Sequence, residues 1–128
     1  MLMKRLVLLF LLVPFFALAK GPQIKFLQTL HDFGNIKENG GKVYADFQFV
    51  NVGDSPLVIL RAQSSCGCTK ANYPVEPVEP GDTAIVKVSY DPKGNAGEFN
   101  KIISVKSNSV KNGLLKIRIN GCVLPKNR

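Results

Sequence analysis

The chain has no tryptophan, one histidine (His31) and only two methionines, Met1 and Met3. These scarcities exclude a multi-histidine metal centre and leave residues 20–128 without a thioether for a soft metal. Acidic residues are few, 9 against 17 Lys and Arg, for a net charge of +8. No carboxylate pair has a context that points to acid–base catalysis. The sequence has no G-x-S-x-G elbow, H-E-x-x-H pair or Walker loop. Helical patterning is missing too, since no segment repeats apolar residues at i, i+3, i+4 and i+7 over a useful length. Cysteine is sparse at three residues, yet two of them stand one residue apart in "SSCGCTK", residues 64–70.

The one long apolar run, "LVLLFLLVPFFAL" (Leu6–Leu18), follows a short basic start, "MLMKR". It is shorter than the roughly 20 residues a membrane span needs. Ala17 and Ala19 put small residues where a signal peptidase requires them, so residues 1–19 are expected to be a secretory signal peptide cut after Ala19. Lys20 follows the cut, so no lipid-modified cysteine is indicated. The expectation is a single periplasmic or secreted domain over residues 20–128, with no stable membrane span after cleavage. The cut also removes Lys4 and Arg5. The remaining lysines (Lys25, Lys37, Lys42, Lys87, Lys101, Lys106 and Lys116 among them) are scattered and not interleaved with aromatics. This describes a solvated coat, weakly attractive to anionic envelope polymers or lipids, and not a nucleic-acid surface.

Beyond the leader, strand signals recur. "KVYADFQFVNV" (42–52) alternates, with Val43, Ala45, Phe47 and Phe49 on one face and Tyr44, Asp46 and Gln48 on the other. "QIKFLQ", "LVILRAQ", "TAIVKVSYD", "FNKIISVKS" and "LLKIRINGCVL" read likewise. "HDFGNIKENGG" (31–41) reads as turn-rich. "YPVEPVEPGD" (73–82) spaces three prolines evenly and is expected to be a stiff extended connector along a sheet edge, outside any central ladder. A proline-rich ligand for an aromatic groove is the other reading of that segment. About seven short strands separated by turns, with no helix, predict an all-β, immunoglobulin-like β-sandwich. Phe33, Phe47, Phe49, Val86, Val88, Ile103 and Ile117 are its expected core. A domain of this size needs no covalent staple.

Two stretches carry a resemblance. "HDFGNIKENGGKVYADFQFVNVGDSPLVI" resembles the opening of ASH/major-sperm-protein-like immunoglobulin folds. "SSCGCTKANYPVEPVEPGDTAIVKVSYDPKGNAGEFNKIISVKSN" closely resembles the bacterial domain-of-unknown-function family 1573, with its CGCT turn, proline-glycine crossing and paired late strands. The likeness runs from about Phe26 to Pro125. It implies an exported immunoglobulin-like sandwich and no reaction. Cys66, Gly67, Cys68 and Thr69 match the marked turn. Cys122 has no counterpart in the pattern, and by strand parity it falls with Lys116 and Arg118 on the outward face.

Three readings of the cysteines stand open. A Cys66–Cys68 disulfide closes almost no chain, so it is a poor staple and a reasonable labile couple. A metal site at Cys66 and Cys68 offers two soft ligands where structural zinc takes four, unless His31 or Cys122 approaches. A bridge from either cysteine to Cys122 would close roughly 55 residues and stabilise by about 4 kcal/mol. A nearby cation, Lys70 or Arg61, would favour a thiolate. His31 precedes a turn in which Asp32 caps, Phe33 is core and Gly34 takes an unusual backbone angle; it is expected to be partly exposed. The chain is therefore expected to be a non-catalytic, monomeric module without cofactor that binds or scaffolds an envelope protein or polymer. Thiol redox or metal handling through Cys66-Gly67-Cys68 is the alternative.

Overall fold

The computed structural model describes residues 21–126, and the leader expected at residues 1–19, with its cut at Ala19, lies outside them. Eight strands follow in order: β1 (Ile24–Phe26), β2 (Leu30–Lys37), β3 (Val43–Asn51), β4 (Ile59–Ser64), β5 (Thr69–Asn72), β6 (Thr83–Tyr90), β7 (Gly97–Ser107) and β8 (Leu114–Leu124). They form two four-stranded sheets, ordered β1-β3-β6-β5 and β2-β8-β7-β4. This is the all-β immunoglobulin-like sandwich that the patterning predicts. No helix among the described residues is long and apolar enough to cross a membrane.

Alternation decides what is buried. Along β3, Ala45, Phe47 and Phe49 point inward and are buried, while Tyr44, Asp46 and Gln48 face out. Val86, Val88 and Tyr90 of β6 meet them from the same sheet, and Ile103, Val105, Ile117 and Ile119 close the core from the other. Tyr90 stacks on Phe99 across the sandwich, with ring centroids 4.1 Å apart. Phe33 is half-buried, packed against this cluster at its margin.

The chain changes sheet at both sides of the sandwich. Between β1 and β2 it passes from β3 to β8, which β2 joins in parallel. Between β4 and β5, at the other side, it passes from the second sheet to the first through the cysteine turn; β2–β3, β3–β4 and β6–β7 also change sheet. Two differences from the sequence reading follow: to the six strand segments read from the patterning the structure adds two more, for eight in all. The stretch 31–41, read as turn-rich, is mostly β2. Its turn formers make a bulge within the strand instead: Asp32 Oδ1 accepts the Gly34 N–H at 2.8 Å, Gly34 sits at φ 67°, and the register shifts between Asp32 and Asn35. Gly121 of β8 allows the close approach there, since a Cβ on it would lie 2.8 Å from the Gly34 carbonyl oxygen. The second unforeseen strand, β5, is too short to show a period and is held by its pairing to β6.

The proline-rich segment 73–82 stays outside the ladders except at one bridge. Leu57 and Val78 exchange both backbone hydrogen bonds, at 2.9 and 2.7 Å, and both side chains are buried. It is a fixed crossing along the edge, as its prolines predict. Asn51 locks that end of the domain. Fully buried, it accepts from the Gln23 and Gly53 N–H groups and donates to the Ser55 and Val78 carbonyls.

Candidate functional site at the cysteine turn

The cysteine turn is the corner between sheets. β4 ends at Ser64, and Thr69, which begins β5, is buried. Thr69 N–H donates to the Cys66 carbonyl at 3.2 Å, closing a tight turn with Gly67 and Cys68 at its centre. The two sulfurs are joined at 1.95 Å, with Cα atoms 5.3 Å apart. Cys66 N–H donates to Ser64 Oγ, and Cys68 N–H donates to Cys66 Sγ, each at 3.3 Å. Both cysteines are half-buried, and Cys68 packs against the core. Gly67 is exposed with open space around its Cα, and it is not among the glycines held at positive φ.

The structure thus brings Cys66 to Cys68 and neither of them to Cys122. Cys122 is a free, half-buried thiol on β8, between Asn35 of β2 and Glu98 of β7. It borders an open hollow with Asp32 and Asn120, whose Oδ1 has no hydrogen-bond partner. His31 lies on β2 with its ring against Phe33, centroids 4.5 Å apart, and is half-buried. Among the described residues no group of three or more His, Cys, Asp or Glu is gathered as a metal site.

What surrounds the turn was not visible in its own sequence. The register row Thr69–Tyr90–Val43 runs across β5, β6 and β3. Just beyond this row, where β5 and β3 begin and β6 ends, stand Cys68, Lys42 and Asp91, and Asp91 N–H donates to the Cys68 carbonyl at 2.9 Å. A cleft of about 160 Å³ opens here, lined by Gly67 and Cys68, by Lys42, Lys70 and Lys93, and by Ser89, Asp91 and Asn95. Of the two cations flanking the turn in sequence, Lys70 lines this cleft. Arg61 does not: it stands mid-strand opposite Lys106.

The β6–β7 loop that carries Lys93 is tied down by its own side chains. Asp91 Oδ1 accepts the Lys93 N–H at 3.1 Å, and Asn95 Nδ2 donates to the Asp91 and Lys93 carbonyls. Glu38, in the β2–β3 loop, accepts the Gly94 N–H at 3.0 Å and the Lys126 N–H at 3.3 Å. The β2–β3 and β6–β7 loops are thereby fixed beside the disulfide, and the chain at Lys126 is tied to the first of them. Tyr90, beneath them, has its phenol pushed above its ordinary value of 10.0, by burial first and by the Asp91 charge second.

The chain belongs to the family described as "Protein of unknown function (DUF1573)", which matches residues 24–123. No curated protein matches it. Among solved structures it is similar to a protein of unknown function from Porphyromonas gingivalis W83, at 19% identity and TM-score 0.72, over 87% of this chain and 51% of that one. This chain therefore spans about half the length of that structure. It is similar to the ASH/PapD-like domain 7 of human CEP192, at 13% identity and TM-score 0.62, over 89% and 95% of the two chains. The YadV chaperone is a further neighbour, at 17% identity and TM-score 0.52, over 82% of this chain and 53% of that one. At these identities the likenesses establish the fold alone.

Proposed function

We propose that this chain is an exported, non-catalytic binding module of the cell envelope that engages its partner through the loop end carrying the Cys66–Cys68 turn. One observation carries the reading. At that end a covalent clip and a set of side-chain-to-backbone bonds hold three segments, the cysteine turn and the β2–β3 and β6–β7 loops, in place around a polar cleft. Loops fixed before binding lose little entropy on docking, so ordering of this kind favours recognition. Sandwich folds commonly present binding loops at one end. The chaperone neighbour agrees with a binding role by analogy of fold.

A bulky residue at the turn tests this. A Cβ at Gly67 would meet nothing within 4 Å, so Gly67→Trp is expected to fold and to obstruct the cleft mouth. It is expected to lose a partner, captured from solubilised envelope, that the wild type retains. Lys111→Trp, in the β7–β8 loop at the opposite end, is expected to keep it. Equal retention by both variants contradicts the reading.

Thiol redox is the second reading, favoured by the half-exposed disulfide outside the strand ladders. An incoming thiolate would attack one sulfur and displace the other as thiolate. The partner's second thiol would then release a partner disulfide and leave Cys66 and Cys68 as the dithiol, a two-electron transfer. Under this reading Cys66→Ser/Cys68→Ser folds but no longer exchanges with a dithiol substrate.

A further inference from the structure

We propose that the cleft beside the disulfide is an anion-recognition site whose occupant is an acidic segment of a partner protein; this rests on the docking role of that end of the sandwich. Lys42 leads into β3, Lys70 lies on β5 and Lys93 sits in the β6–β7 loop, so three separate elements bring lysines to the cleft that Gly67 and Cys68 line. None of the three has a carboxylate within ion-pair distance among the described residues. The ion pair found there, Lys87–Asp46 at 3.7 Å, lies elsewhere, on the outer face of β3 and β6. The acids at this end, Glu38 and Asp91, are engaged by backbone N–H groups. They fix the loops that carry the lysines but keep their charge, and the cleft still sets three lysines against the single carboxylate of Asp91.

The positive rim is extended. Lys42 and Lys93 also border a second hollow of about 440 Å³ together with Lys126, where the three lysines outnumber the lining acids Glu38 and Asp91. The cations therefore run from Lys70 to Lys126 across two adjoining hollows. A single phosphate is best held by forked arginines or converging N–H groups. Lysines are point charges on flexible stems, and a row of them suits several carboxylates presented in series. The first hollow, at about 160 Å³, admits a side chain and not a folded surface. Beside it, β5 is the last strand of its sheet and pairs only with β6, so an extended segment can run alongside without displacing a strand.

The test is fluorescence anisotropy of the exported protein with a labelled peptide of alternating Glu and Ser, at low and high salt. Lys42→Gln/Lys70→Gln/Lys93→Gln removes the cleft cations. Lys25→Gln/Lys106→Gln/Lys116→Gln removes as many exposed charges elsewhere. The cleft variant is expected to bind at least about tenfold more weakly, and the control to stay within about twofold of wild type. Binding should also fade as salt shortens the screening length. Equal losses in the two variants would reduce the effect to net charge and overturn the proposal. So would no binding of the peptide, or preference for an anionic polysaccharide or anionic lipid vesicles. The two readings fail separately. A partner lost by Gly67→Trp but kept by the triple lysine variant leaves docking standing and removes the anion site. Peptide binding at the cleft with no envelope partner does the reverse.

Discussion

Removing the Cys66–Cys68 bridge should cost little stability, and the structure sets the size. The bond spans a sequence separation of 2, so it closes a three-residue loop. The loop-entropy relation assigns such a loop roughly 1.6 kcal/mol at 25 °C, against about 4 kcal/mol for a bridge to Cys122. The backbone bonds of the turn, Thr69 N–H to the Cys66 carbonyl and Asp91 N–H to the Cys68 carbonyl, need no sulfur. Serine at position 66 also preserves an acceptor for the Cys68 N–H. In a small domain each kcal/mol moves Tm by about 4–8 °C, so Cys66→Ser/Cys68→Ser should melt no more than roughly 13 °C below wild type. Circular dichroism of the oxidised protein, the reduced protein and the double variant measures this. Thiol counting on the oxidised wild type should find Cys122 alone reactive. A loss near 4 kcal/mol, or failure to fold, would make the turn a staple and refute the reasoning.

Two further perturbations probe the frame that holds the site. Asn51→Ala deletes four hydrogen bonds at a fully buried position and strands the Gly53 N–H, so urea unfolding should show a loss of about 2–4 kcal/mol; under 1 kcal/mol would contradict the assignment. Tyr90 has its phenol raised in the fold, so its contribution is fully present below its unfolded value of 10.0 and is lost as pH rises through the folded value. Stability measured from pH 9 to about 11.5 should therefore decline more steeply in wild type than in Tyr90→Phe.

Much of the sandwich was legible because burial on one face leaves a period of two. Phe47, Phe49, Val86, Val88, Ile103 and Ile117 could be placed in the core from alternation alone, and each is fully or almost fully buried. β2 was hidden because Asp32 and Gly34 carry turn chemistry that serves a bulge within a strand. β5 was hidden because four residues are too few to show alternation. The site divides in the same way. Local spacing marked Cys66 and Cys68, and parity placed Cys122 on the outward face with Lys116 and Arg118, as its pairing has it. Lys42 and Lys93 carried no mark, because their approach to the turn depends on the register of β3, β6 and β5. That register is a long-range property that no local window contains. The strand-end row Thr69–Tyr90–Val43 was the signal that could have found them, once the pairings were known.

The central claim is that a partner docks at the disulfide end of this sandwich. The most direct measurement is photo-crosslinking in intact cells, with the photoreactive residue placed at the exposed Ala96 of the β6–β7 loop or at Lys111 at the opposite end. The account predicts a discrete adduct from position 96, lost on substitution of Lys42, Lys70 and Lys93 by glutamine, and none from position 111. An adduct from position 111 alone, or the same adducts from both positions, would contradict it.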